Sequence, residues 1–107
     1  MSVIQLCRYQ LTEGVLADWA AHWRQNVMPL RLKFGFNVLF AFADHVNSQF
    51  VWAVSFDGTA EDLAARDHEY HESPEWAERN AGKNGPIESV TVALVEEIAP
   101  PTAAIPV

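Results

Sequence analysis

The chain has 107 residues, half of them hydrophobic, which bounds it to one domain with a real core and excludes a disordered body. Fourteen acidic against seven basic residues give a net charge of −7, the wrong sign for holding nucleic-acid phosphates or anionic membrane surfaces. A single cysteine, Cys7, excludes an intramolecular disulfide and a cysteine zinc cluster.

Val3 to Leu11 reads as a first strand, with Val3, Gln5, Cys7 and Tyr9 on one face and Ile4, Leu6 and Arg8 on the other. Gln5 and Arg8 break its apolar run, so it does not resemble a signal peptide, and no stretch approaches the ~20 apolar residues of a membrane span. A cytoplasmic protein is expected. After Thr12-Glu13-Gly14, the residues Leu16, Trp19, Ala20, Trp23, Val27, Leu30 and Phe34 recur at helical spacing. Pro29 inside that stripe predicts a kink, and Gly35 a C-terminal cap. Phe36 to Ala43 and Phe50 to Phe56 follow as strands that are apolar on both faces, joined by a turn around Asp44 to Ser48. Strict alternation in the first of them puts Phe36, Val38, Phe40 and Phe42 on one side and Leu39, Ala41 and Ala43 on the other.

Thr59-Ala-Glu-Asp62 has capping-box form and opens a helix running to about His71. Ser73-Pro74-Glu75 is an N-cap followed by proline at the first helical position, starting a short helix that carries Trp76. Residues 82–86 form a loop, and Ile87 to Ile98 a last strand. The domain therefore spans residues 1–99, and residues 100–107 form a Pro-rich tail unable to extend a ladder. The order β-α-β-β-α-β is that of the α+β, ferredoxin-like fold: a four-stranded antiparallel sheet with its helices on one face. Burying each large apolar side chain on the other face is worth roughly 1.5–3 kcal/mol. A second copy of the chain, sheet against sheet in a homodimer, is the simplest cover.

Tyr9-x-Leu11-x-x-Gly14, the tryptophan-bearing helix ending Pro29-Leu30-x-x-x-x-Gly35-Phe36, then Val51-Trp52 and Ser73-Pro74-Glu75-Trp76 together resemble the NIPSNAP family, over roughly Val3 to Ile98. The resemblance implies the dimeric α+β barrel superfamily, in which two ferredoxin-like subunits oppose their sheets. That superfamily holds cofactor-free quinone-forming monooxygenases, haem-degrading oxygenases, haem-bearing enzymes and proteins without known activity. It implies a homodimer that binds a small hydrophobic molecule in the crevice between helices and sheet. A cofactor-independent monooxygenase or isomerase acting on an aromatic small molecule is the first alternative, and a haem binder with His71 as axial ligand the second. Whether the chain is an enzyme stays open. The first strand of such proteins often carries Glu and Arg where this chain has Gln5 and Cys7.

At 100° per residue, Ala60, Leu63, Ala64, Asp67 and His71 share one face of the second helix, with Tyr70 on its flank. Asp67 four residues before His71 can orient the imidazole as a general base, with Tyr9 as donor or proton relay. The plainer reading is a solvated helix end. Candidate ligand-binding residues are Trp23, Trp76, Arg31 and Gln5. Core packing is the more common role for Trp19 and Trp23 at this spacing, and an ion pair the more common role for Arg31. His68, His71 and Glu72 lack the spacing of the zinc helix motif, so no metal is expected, and no other cofactor is called for.

Overall fold

The computed structural model describes residues 2–99, so the Pro-rich tail expected over 100–107 lies outside the described residues. The elements are β1 (Ser2–Leu11), α1 (Leu16–His22), a π-helical stretch (Trp23–Val27), α2 (Met28–Lys33), β2 (Asn37–Asp44), β3 (Gln49–Asp57), α3 (Ala60–Glu72), α4 (Pro74–Asn80) and β4 (Ile87–Val95). The strands form one antiparallel sheet in the order β2-β3-β1-β4. This is the expected α+β ferredoxin-like order. The last strand stops at Val95, three residues short of the sequence reading.

Pro29 acts one turn earlier than a simple kink would. Its ring would meet the carbonyl of Gln25, and it has no N–H to offer the helix. The helix answers by widening into the π-helical stretch just before the proline, where the Met28 N–H reaches back five residues to the Trp23 carbonyl. The helix then ends on Gly35 at φ +91°, with Gly35 N–H bonded to the Leu32 carbonyl and Phe36 N–H to the Arg31 carbonyl. That pair of bonds is a Schellman motif. It brings Phe36 back beside Arg31.

Residues opposite one another in the ladders share a face. Cys7 pairs with Trp52 and Trp52 with Ala41, so Val3, Gln5, Cys7 and Tyr9 of β1 lie on the helix side with Phe50, Trp52, Val54 and Phe56 of β3. Trp52 and Val54 are fully buried there. On β2 the expected alternation fails. An irregularity between Val38 and Phe40 shifts the register, so Val38, Ala41 and Ala43 face the helices while Phe40 and Phe42 face away. A bulge of this kind moves every later side chain to the opposite face.

The helices leave two areas uncovered. On the outer face, Ile4, Leu6, Phe40, Phe42, Ala53 and Val95 border an open hollow, with Phe42 63% exposed. On the helix side, Val90, Val92 and Leu94 of the edge strand β4 are about half exposed. No helix among the described residues is long and apolar enough to cross a membrane.

Because the Schellman cap needs a left-handed residue, Gly35→Ala should cost about 1–2 kcal/mol in a urea-denaturation midpoint. A Cβ there meets only Phe56 at an ordinary 3.7 Å, so strain rather than crowding is the cause. Gly85→Ala, where no positive φ is required and nothing lies within 4 Å, should be nearly neutral.

Candidate functional site

Arg31 is the centre of the site. It lies on the last turn of α2, and its guanidinium is carried inward, leaving the residue 4% exposed. Its Cζ stands 4.0 Å from the centroid of Tyr70, 4.8 Å from Phe36 and 5.3 Å from Trp52. These aromatic faces attract the cation, but several kcal/mol of desolvation still demand a counter-charge. Asp67 of α3 supplies it. Arg31 Nη1 donates to Asp67 Oδ1 at 2.6 Å.

Burial alone would raise the Asp67 pKa, but hydrogen bonds from His71 and Arg31, helped by their charge, bring it down from 3.8 to about 2. His71, one turn on, places Nδ1 2.9 Å from the Asp67 backbone carbonyl and 3.3 Å from Asp67 Oδ2. A carbonyl only accepts, so Nδ1 is the donor to Asp67, and in a neutral imidazole Nε2 would hold the free lone pair. The unit is an Arg31–Asp67–His71 chain rather than the expected two-residue dyad.

These groups border a crevice of about 120 Å³ between the helices and the β1–β4 side of the sheet. Tyr9, Arg31, His71 and Trp76 all line it, together with Trp19, Tyr70 and Asn80. Asp67 adjoins it through Arg31 and His71. Trp76 stacks edge-on to His71 at 5.4 Å, and Tyr9 is edge-on to Trp19 at 5.8 Å. Burial pushes the Tyr9 phenol well above its usual range.

Trp23 and Gln5 are not brought to the crevice. Trp23 packs on Phe50 and Trp52 at 5.2 and 5.4 Å between centroids, as core. Gln5 sits further along β1, where its side-chain oxygen lies 3.8 Å from the Cys7 thiol. Cys7 is buried, and the loss of solvation raises its pKa to about 11, so the thiol is inert. Among the described residues, no three metal-ligating acidic, histidine or cysteine side chains gather.

On α3 the buried residues are Leu63 and Tyr70, while Ala60 and Ala64 are exposed. The inner face is therefore rotated toward Tyr70, and His71 falls on the rim at 43% side-chain exposure. The seven-residue spacing from Leu63 to Tyr70 carries that signal, because seven residues return to nearly the same helical direction. Asn80 and His22 form a second feature that sequence reasoning passed over. Asn26 Nδ2 lies 3.1 Å from His22 Nδ1, His22 Nε2 is 3.0 Å from Asn80 Oδ1, and Asn80 Nδ2 donates to the Trp76 carbonyl. This relay ties α4 to the long helix across 58 residues of sequence.

Five buried donors among the described residues have no hydrogen-bond partner: the indole N–H of Trp19, Trp23 and Trp52, Arg31 Nε and the Tyr70 hydroxyl. Trp23 and Trp52 are stacked edge to face against each other in the core. Trp19, Arg31 and Tyr70 line the crevice.

The NIPSNAP family model matches residues 4–105 of the sequence. The chain belongs to the NIPSNAP family. Solved structures agree on its fold. A NIPSNAP family protein from Agrobacterium tumefaciens is 15% identical with a TM-score of 0.82, over 96% of this chain and 100% of that one. A NIPSNAP-like domain protein from Burkholderia xenovorans, described as uncharacterized, is 15% identical with a TM-score of 0.81, over 98% and 91%. A putative antibiotic biosynthesis monooxygenase from Bacteroides thetaiotaomicron is 12% identical with a TM-score of 0.69, over 97% and 96%. No curated protein matches this NIPSNAP sequence.

The depressed Asp67 pKa makes a pH prediction for this NIPSNAP chain. Its folded value lies below its unfolded value, so the ion pair's contribution is full above pH 3.8 and lost as pH falls toward 2. Asp67→Asn should lower stability at neutral pH by about 2 kcal/mol and flatten the fall between pH 4 and pH 2, read by chemical denaturation at each pH.

Proposed function

We propose that this NIPSNAP protein is a homodimer that binds a small aromatic molecule in the helix-sheet crevice of each subunit. The observation that carries the ligand reading is convergence. Tyr9, Arg31, Tyr70, His71 and Trp76, from four separate elements, meet around one hollow instead of filling it. A concave site with an aromatic wall and a few aimed polar groups is the usual form of a small-molecule pocket. At about 120 Å³ it accepts roughly one ring, since an engineered cavity of ~150 Å³ takes benzene. Titrating the full chain with single-ring aromatics should move the indole N–H resonances of Trp19 and Trp76 ahead of that of Trp23. Perturbation confined to the outer sheet face, or none at all, would remove the reading.

The dimer rests on the outer face. Phe42, Leu39 and Val95 are exposed there, and an apolar face of this kind wants cover. Its charge is also arranged for a second copy. Arg8 marks one end of the face, beside Gln49, and Glu96 and Glu97 border its apolar hollow at the other. A two-fold stack can lay each Arg8 end over the partner's acidic end, which a single copy cannot do for itself. Light scattering at micromolar concentration should return twice the mass of one chain, and Phe42→Glu should return the mass of one.

Catalysis is the second reading, favoured by the Asp67–His71 contact. A neutral His71 with Nδ1–H held by Asp67 has the tautomer of a general base. The fold shared with putative antibiotic biosynthesis monooxygenases supports testing for cofactor-independent oxygenation or isomerisation of an aromatic substrate. His71→Ala should then abolish oxygen uptake or isomerisation while leaving ligand binding within about threefold. Turnover equal in both proteins would reduce the site to binding alone.

A further inference from the structure

The chain carries five asparagines, and one of them, Asn84, is followed by glycine. The pair lies exposed in the loop between α4 and β4, and Asn84 lines the helix-sheet crevice with His71, Trp76 and Asn80. The backbone there is a tight turn, in which the Asn84 carbonyl accepts from the Ile87 N–H at 3.1 Å. The turn is anchored through Pro86, whose carbonyl accepts from the Thr12 N–H at 2.9 Å and the Thr12 hydroxyl at 3.2 Å. The two central residues of such a turn do not use their N–H groups to close it, and Pro86 has none. That leaves the Gly85 N–H. Among the described residues no hydrogen bond holds it or the Asn84 side chain.

An asparagine followed by glycine with a free N–H can react with its own backbone. The Gly85 nitrogen, its proton given up to solvent, attacks Asn84 Cγ. A new C–N bond closes a five-membered imide, the Cγ–Nδ2 bond breaks, and ammonia leaves with a proton. Water then opens the imide at either carbonyl, giving aspartate or isoaspartate. The sum is an amide and water turned into a carboxyl group and ammonia, with no oxidant or reductant. Glycine has no Cβ to crowd the attack, and the space around Gly85 is open. The other four asparagines are held back. Asn26 and Asn80 have their side chains on His22, Asn47 has its amide on Asp44, and Asn37 precedes β-branched Val38 within β2.

We propose that Asn84 is a self-modification site that sets a carboxylate on the wall of the crevice. None of the residues lining that crevice is acidic, and its permanently charged member is Arg31. Conversion gives the wall its first anion, so an aged chain disfavours anionic ligands there relative to a new one. The modification stands whether or not the crevice binds an aromatic molecule.

The test keeps the full chain in warm, neutral phosphate buffer for weeks, sampled by peptide mass spectrometry and by NMR of the indole N–H groups. The peptide holding Asn84 should gain one dalton and split into two isomers before any other asparagine peptide changes. Second indole resonances for Trp19 and Trp76 should grow in step, while Trp23 keeps a single one. Gly85→Ala, which has nothing within 4 Å of the added Cβ, should fold as wild type and lose the gain over the same period. No gain at Asn84, a gain first at another asparagine, or an equal gain in Gly85→Ala overturns the site. A gain at Asn84 with the Trp19 and Trp76 resonances unchanged overturns its placement on the crevice wall.

Discussion

A guanidinium removed from water is the constraint around which this protein is built. Arg31 is 4% exposed, and the cost of stripping its hydration has to be recovered from its immediate surroundings. Three rings offer their faces, and one carboxylate offers its charge. These partners come from three parts of the chain: Phe36 follows α2, Trp52 belongs to β3, and Asp67 and Tyr70 belong to α3. Placing one cation therefore locates both helical segments over the sheet. Neither hydrophobic burial nor helix propensity would specify their relative position so closely, because both are indifferent to small slides.

The backbone around Arg31 is shaped to the same end. Pro29 forces the π-helical widening before it, and a π-helical residue turns the chain less than the ~100° of an α-helical one. Five such residues hold the helix back by roughly a quarter turn, which brings Arg31 toward the direction of Trp23 and so toward the sheet. The Schellman cap then ends the helix within two residues and brings Phe36 under the guanidinium. The same features set Arg31 beside the crevice. His71 sits at its rim because Asp67, bound to Arg31, holds that turn of α3 against the core.

Much of the fold was legible because strand and helix periods are written locally. The two-faced apolar runs at Phe36 to Ala43 and Phe50 to Phe56, the Thr59-x-x-Asp62 box and the Ser73-Pro74 start each depend on neighbours within a few residues. Tyr9, Arg31, Asp67, His71 and Trp76 could be singled out as polar or aromatic residues at helix ends and strand faces. Phe40 and Phe42 were grouped with Val38, from which the structure separates them. The bulge after Val38 reflects pairing with β3, which is not a property of β2 alone. Trp23 could be read as wall as well as core, since a helical stripe does not say which of its members meets a cavity. Tyr70 and Asn80 were not singled out as site residues for a related reason: their importance lies in partners distant in sequence, Phe34 and Phe36 for Tyr70 and His22 for Asn80.

The sequence by itself determined the element order, the antiparallel sheet with helices on one face, and membership of the NIPSNAP family. Short-range chemistry and residue order are enough for that. Only the tertiary structure decided which strand face meets the helices, that the described helices do not cover β4, and that Arg31 goes inward to Asp67 instead of outward to water. Those outcomes depend on whether desolvation is repaid by rings and a carboxylate brought together from distant positions. Such a balance exists only once the chain has closed on itself.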